Sequence, residues 1–147
     1  MKLRVVIDTN IWIRILLKGR VTLPVLEAFN ADKFQLIMSS PLMDEFHEVW
    51  NRPRLRKQID PNQANRLEQQ LRHRAVWVEV ETIPPNCRDP KDLPVLATAI
   101  DGSANVIVSG DNDLRDDDGL REAMAIHQIR LLGVNSFLAS LDTSLES

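Results

Sequence analysis

The chain has 147 residues, 44% of them hydrophobic and 27% charged, and a net charge of −3. That length suits one domain, residues 1–147, with enough apolar content for a core without disulfides, and the near-ordinary globular composition argues against disorder and membrane spanning. The longest apolar runs fall far short of a bilayer span, and Met1-Lys2-Leu3-Arg4 leads straight into a strand pattern with no room for a signal peptide, so a cytoplasmic protein is expected.

Val5-Val6-Ile7-Asp8-Thr9-Asn10 is a buried-strand run that ends in a carboxylate, a hydroxyl and an amide. Ile11 to Leu17 continue at helical period, and Val21-Thr22-Leu23-Pro24 turns the chain into a short helix through Val25, Leu26 and Phe29. Phe34 to Met38 reads as a second strand. Ser39-Ser40-Pro41 signals a helix start, a hydroxyl cap before proline, and the helix is expected to run to about Trp50, before Pro53. On it Leu42, Phe46, Val49 and Trp50 share a face; Glu45 borders that face at about 40° from Val49, while Asp44, His47 and Glu48 point elsewhere.

Two basic helices follow, Arg54 to Ile59 and Pro61 to Arg74, the second with Leu67 and Leu71 inward. From Arg52 to Arg74 seven basic side chains face two acids, Asp60 and Glu68, whereas from Glu79 to Glu122 eleven acids face four bases. The basic stretch suits a solvated face as well as a phosphate-binding stripe, with Arg52, Arg54, Arg56 and Lys57 as candidate contacts to RNA or a protein partner. Val76-Trp77-Val78 is a third strand, and Glu79 to Asn86 a polar connection. A helix from about Asp92 to Asp101, stopped at Gly102, places Asp92, Val95, Leu96 and Ala99 on one face. Asn105 to Val108 is a fourth strand, followed by Ser109-Gly110-Asp111-Asn112-Asp113. Gly119 to His127 reads as a helix, Ile129 to Leu132 as a last strand, and Asn135 as the cap of a closing helix through Phe137, Leu138 and Leu141. Strands alternating with helices predict a mostly parallel sheet covered on both sides.

Four acids stand out by placement: Asp8 and Asp111 just past strands, Glu45 and Asp92 at the edge or head of inward helix faces. Gathered in one cleft, such carboxylates oppose each other's ionisation, and a divalent cation removes that cost. Oxygen donors suit Mg²⁺ or Mn²⁺, and a cation so held supports phosphodiester hydrolysis by acidifying an attacking water and neutralising phosphate charge. Asn10 can hold a water or a phosphate oxygen, and Thr9 and Ser109 can fix carboxylates. Taken singly, each residue has a plainer reading: Asp8, Asn10 or Asp92 as helix caps, Asp111 and Asp113 as turn residues, Glu45 as a rim charge. Asp44, Glu48, Asp89, Asp101 and Asp116-Asp117-Asp118 are read as solvated, and Trp12, Trp50 and Trp77 as core.

Other chemistries fit less well. The single cysteine, Cys87, excludes an internal disulfide and a Cys-clustered zinc site, and His47, His73 and His127 form no recognisable partnership with it. Gly110 lacks the companion glycines and the Gly-Lys-Ser/Thr of a nucleotide-binding loop. An aspartyl-phosphate phosphatase usually carries a second Asp where this chain has Asn10, which weakens that rival. A non-catalytic scaffold, with the acids as caps and turns, stays open.

The anchors Val5 to Asn10, Ser40 to Phe46 with Glu48 to Pro53, Cys87 to Asp92 with Leu96 to Ala99, and Val106 to Leu114 together resemble the PIN domain, and within it the small prokaryotic toxins of toxin–antitoxin pairs. The resemblance covers nearly the whole chain. It implies a Rossmann-like three-layer α/β/α sandwich and a Mg²⁺- or Mn²⁺-dependent endoribonuclease whose partners are RNA, a cognate antitoxin and a second copy of the chain. It assigns the acidic quartet to Asp8, Glu45, Asp92 and Asp111, with Asn10 and Asp113 in support. The chain departs from many relatives at Leu93-Pro94, where they carry another acid and a polar residue; the change bears on how many metals are held.

Overall fold

Five strands, β1 (Arg4–Ile7), β2 (Gln35–Met38), β3 (Val76–Trp77), β4 (Val106–Val108) and β5 (Arg130–Leu132), form one sheet in the order β3-β2-β1-β4-β5. The computed structural model describes residues 2–82, 92–110 and 115–146, with side chains through residue 142. Every strand pair is parallel, so the sheet expected to be mostly parallel is wholly so among the described residues. The two central strands, Val5-Val6-Ile7 and Val106-Ile107-Val108, are buried throughout and lie side by side, Val5 opposite Val106 and Ile7 opposite Val108. Burial on both faces is why they read as unbroken apolar runs rather than alternating ones.

Eight helices are described: α1 (Thr9–Leu16), α2 (Leu23–Asn30), α3 (Ser40–Trp50), α4 (Pro53–Arg56), α5 (Pro61–Arg74), α6 (Leu93–Asp101), α7 (Asp118–Ala125) and α8 (Val134–Glu146). Going from β1 to β2 to β3 the chain steps one way across the sheet; from β3 to β4 to β5 it steps back. Right-handed crossovers therefore place α1 to α5 on one face and α6 and α7 on the other. This is the Rossmann-like α/β/α sandwich. α8 returns to meet α2. Trp12, Phe29, Phe34 and Phe137 stack in sequence with ring centroids 5.8, 6.2 and 5.2 Å apart, joining α1, α2, the entry to β2 and α8.

Several local expectations change in the fold. Gly102 is the C-cap of α6, as its position suggested, but its φ is −88°. The left-handed residue is Ser103, and a Cβ on Gly102 would lie 2.5 Å from Ile37 Cγ2, so close packing is what demands glycine there. Lys18, Asp32 and Gln128 take the same left-handed turn after α1, α2 and α7. In each case the next N–H closes back on the helix, Gly19 to the Arg14 carbonyl, Lys33 to Ala28, Ala104 to Ala99 and Ile129 to Met124. Asn135 is not a cap, because α8 begins at Val134. Asp117 is not merely solvated, since its carboxylate accepts from the Leu120 N–H at 3.1 Å and caps α7. Trp77 is half-buried rather than core, with its Nε1 donating to the Arg72 carbonyl at 2.9 Å.

Asp101, read as solvated, accepts from the Thr82 hydroxyl and from the backbone N–H groups of Thr82 at 3.0 Å and Glu81 at 2.7 Å. The Thr82 hydroxyl first, then the Thr82 and Glu81 N–H groups, holds its carboxyl below the ordinary value of 3.8. A depressed folded-state value contributes stability that is complete above the unfolded pKa and lost as pH falls through the lower folded one. Asp101→Asn should therefore lower the urea midpoint more at pH 7 than at pH 3, because the difference shrinks as pH falls below the unfolded value. An equal deficit at both values would show that the effect is not the charge.

Candidate active site

The strand order puts β1 beside β4 at the point where successive crossovers leave in opposite directions. That point, outside the carboxyl ends of the strands, is the usual ligand position in open α/β sheets. Asp8 follows β1 directly and Ser109 follows β4. The Asp8 N–H donates to the Val108 carbonyl at 2.9 Å, and the Ser109 N–H to Leu132 at 3.0 Å, so both residues are held by the sheet edge.

The Asp8 side chain is only 6% exposed for the whole residue, a carboxylate kept at the rim of the core. One oxygen, Oδ1, accepts the Asn10 N–H at 3.3 Å and caps α1; the other, Oδ2, accepts the fully buried Ser109 hydroxyl at 3.3 Å. The cap reading and the site reading are thus both physically present in one side chain, and the α1 N-terminus further favours the negative charge. Among the described residues Ser109, not Thr9, supplies the hydroxyl on Asp8; Thr9 is buried and Asn10 is exposed at the start of α1.

Helices α3 and α6 both start at the carboxyl edge, because each must run back across the sheet before the next parallel strand. Glu45 on α3 is part-buried, while Asp44, His47 and Glu48 are exposed and Leu42, Phe46 and Trp50 are buried. Asp92 occupies the N-cap position of α6 without a side-chain cap bond and is also part-buried. The head of α3 is joined to the middle of α6 by a buried pair that the sequence reading missed. Ser39 Oγ and Thr98 Oγ1 lie 2.8 Å apart, and Thr98 Oγ1 also donates to the Pro94 carbonyl at 2.6 Å. Ser39 makes no side-chain cap bond to α3, contrary to its sequence reading, since the buried Thr98 takes its hydroxyl instead. A threonine inside the apolar run Val95 to Ala99 was the available signal.

Asp111 and Asp113 lie outside the described residues, as do Cys87 and Asp89. Among the described residues no three acidic, histidine or cysteine side chains form a group able to hold a metal, so Asp8, Glu45 and Asp92 do not make a cage by themselves.

The basic stretch divides. Arg52 is engaged by Glu48 at 3.0 and 2.9 Å, and Glu48, with Glu45 contributing less, raises its pKa above the ordinary value. An exposed i,i+4 pair of this kind is screened by solvent and salt and adds little to stability. Arg56 lies over Trp50, 5.9 Å from the ring centroid; Arg54 and Lys57 are exposed. Glu68, one of the two acids in that stretch, is 6% exposed. Its Oε1 accepts from Trp50 Nε1 at 2.6 Å and lies 2.7 Å from His47 Nδ1, tying α5 to α3.

Fold and edge together define an α/β protein with a carboxylate built into the switch point. The PIN domain family model matches residues 4–113, and the chain belongs to that family. No curated protein matched the chain. PIN domains are in general metal-dependent nucleases, which makes a nucleic acid the class of substrate. No helix among the described residues is long and apolar enough to cross a membrane.

Proposed function

We propose that the protein is a Mg²⁺- or Mn²⁺-dependent endoribonuclease whose acidic quartet is Asp8, Glu45, Asp92 and Asp111, supported by Asn10, Thr9, Ser109 and Asp113. The observation that carries this reading is Asp8 itself, a buried carboxylate anchored by Ser109 at the switch point. The donor set fits a hard divalent cation, since every candidate ligand is a carboxylate, and His47 is turned to Glu68. When bound, the cation acidifies an attacking water and neutralises charge on the scissile phosphate.

The chain's own residues do the rest. Ser109 and the α1 N-terminus fix the orientation of the Asp8 carboxylate, Glu45 and Asp92 approach from α3 and α6, and Asn10 offers an amide to the substrate strand. Residues 1–147 act as one cytoplasmic unit, with a cognate antitoxin and a second copy of the chain as protein partners.

Single-stranded RNA should be cut in Mn²⁺ and left intact when EDTA removes the metal; cleavage that persists in EDTA overturns the assignment. A metal-free scaffold is the second reading, favoured by the spacing of the described acids. Calorimetric titration with Mn²⁺ separates the two, since a scaffold gives no heat that depends on Asp8.

A further inference from the structure

We propose that Arg14 is a substrate-phosphate contact at this site, its guanidinium seated on Gly110 beside the Asp8 end of the sheet; the proposal rests on the nucleic-acid reading above. On α1 the side chains Ile11, Trp12, Ile13, Ile15 and Leu16 are buried, whereas Asn10 and Arg14 are exposed. These two are four residues apart, so they stand one turn apart on the same helix face, and helical side chains lean towards the N-terminus, here the Asp8 end.

The position of the guanidinium is recorded by Gly110. A Cβ built there would lie 2.4 Å from Arg14 Nη1, 3.1 Å from Cζ and 3.3 Å from Nη2. No glycine among the described residues has a positive φ, so backbone conformation does not demand glycine at 110. The Arg14 guanidinium lies directly against it, and as the end of a flexible side chain it would move aside for a larger residue there. Gly110 directly follows Ser109, whose hydroxyl holds Asp8, so the cation lies one residue along the chain from the group that orients the buried carboxylate.

Some other arginines are engaged. Arg4 donates to the Gly102 carbonyl at 2.7 Å, Arg52 to Glu48 at 2.9 Å, and Arg74 lies over Phe29. Among the described residues, the Arg14 guanidinium makes no hydrogen bond or ion pair, while its backbone carbonyl accepts from the Gly19 N–H. A planar, permanently charged fork with its donors unspent matches two phosphate oxygens at once. It also answers a problem specific to this molecule. A polyanion approaching a carboxylate site on a chain of net charge −3 is helped by a fixed cation beside it, and the basic residues from Arg52 to Lys57 lie on and around α4 instead.

The test is fluorescence anisotropy with a short labelled single-stranded RNA in Ca²⁺ over a salt series, on the wild type, Arg14→Ala and Arg14→Lys. Thermal melts should match, because Arg14 is exposed. Arg14→Ala should weaken binding about tenfold and reduce the slope of log affinity against log salt by about 0.7, one phosphate contact on a single strand. Arg14→Lys should restore the slope but only part of the affinity, since a point charge cannot reproduce the fork. In Mn²⁺ cleavage assays the Ala variant should show the change mainly in KM. Equal affinity and slope in wild type and Arg14→Ala, or no RNA binding by the wild type, overturns the proposal. A wild type that binds with the predicted slope loss yet never cleaves in Mn²⁺ overturns the nuclease reading and leaves the Arg14 contact standing.

Discussion

Asp8→Asn is expected to keep the fold and lower RNA cleavage by about 10³-fold, the loss of about 4 kcal/mol of transition-state stabilisation. The fold survives because asparagine caps a helix as well as aspartate does, so the Asn10 N–H keeps its acceptor. The Ser109 hydroxyl can turn to either oxygen or nitrogen on the new amide. What disappears is the negative charge, the property a divalent cation needs. The measurement is paired: a thermal melt and a single-turnover cleavage rate in Mn²⁺ on the same preparation. A variant that melts with the wild type and cleaves at its rate would remove Asp8 from the site. Loss of both would make Asp8 a structural cap.

Glu68→Ala should destabilise the protein by about 3 kcal/mol, the largest stability effect expected of any charged residue described here. The carboxylate is nearly enclosed and takes the indole N–H of buried Trp50 as well as His47. Removing it orphans a buried donor and leaves a cavity between α3 and α5. Glu68→Gln keeps a carbonyl oxygen for Trp50 and should cost only about 1 kcal/mol. Urea unfolding of the two variants tests this. If Glu68→Ala falls within about 0.5 kcal/mol of the wild type, water replaces the carboxylate and the link is not structural. The two helices matter beyond stability, because α3 also carries Glu45.

The elements were largely legible in the sequence, and for a definable reason. β1, β2, β4 and α3 are written in short-range periodicity, the run Val5 to Ile7 and the stripe Leu42, Phe46 and Trp50 being buried as their spacing requires. Helix ends were less legible. Four helices close on a left-handed Lys, Asp, Ser or Gln rather than on glycine, so residue type gave little warning. The chain's amphipathic stretches also concealed Glu68 and Thr98, polar residues buried only because another helix meets them.

What the sequence by itself determined is which residues end each strand and head each helix: Asp8 after β1, Glu45 on α3, Asp92 before α6, Asp111 after Gly110, together with their resemblance to a PIN domain. Tertiary structure alone decided that β1 lies against β4, which makes the end of β1 a switch point rather than an ordinary loop. It alone brought Ser109 onto Asp8 across 101 residues, tied Ser39 to Thr98 across 59, and laid Arg14 on Gly110. The physical reason is range. Propensity, capping and hydrophobic period act within a few residues along the chain, whereas strand order and crossover handedness act between surfaces whose residues are remote in sequence, and no local pattern records which of them will meet.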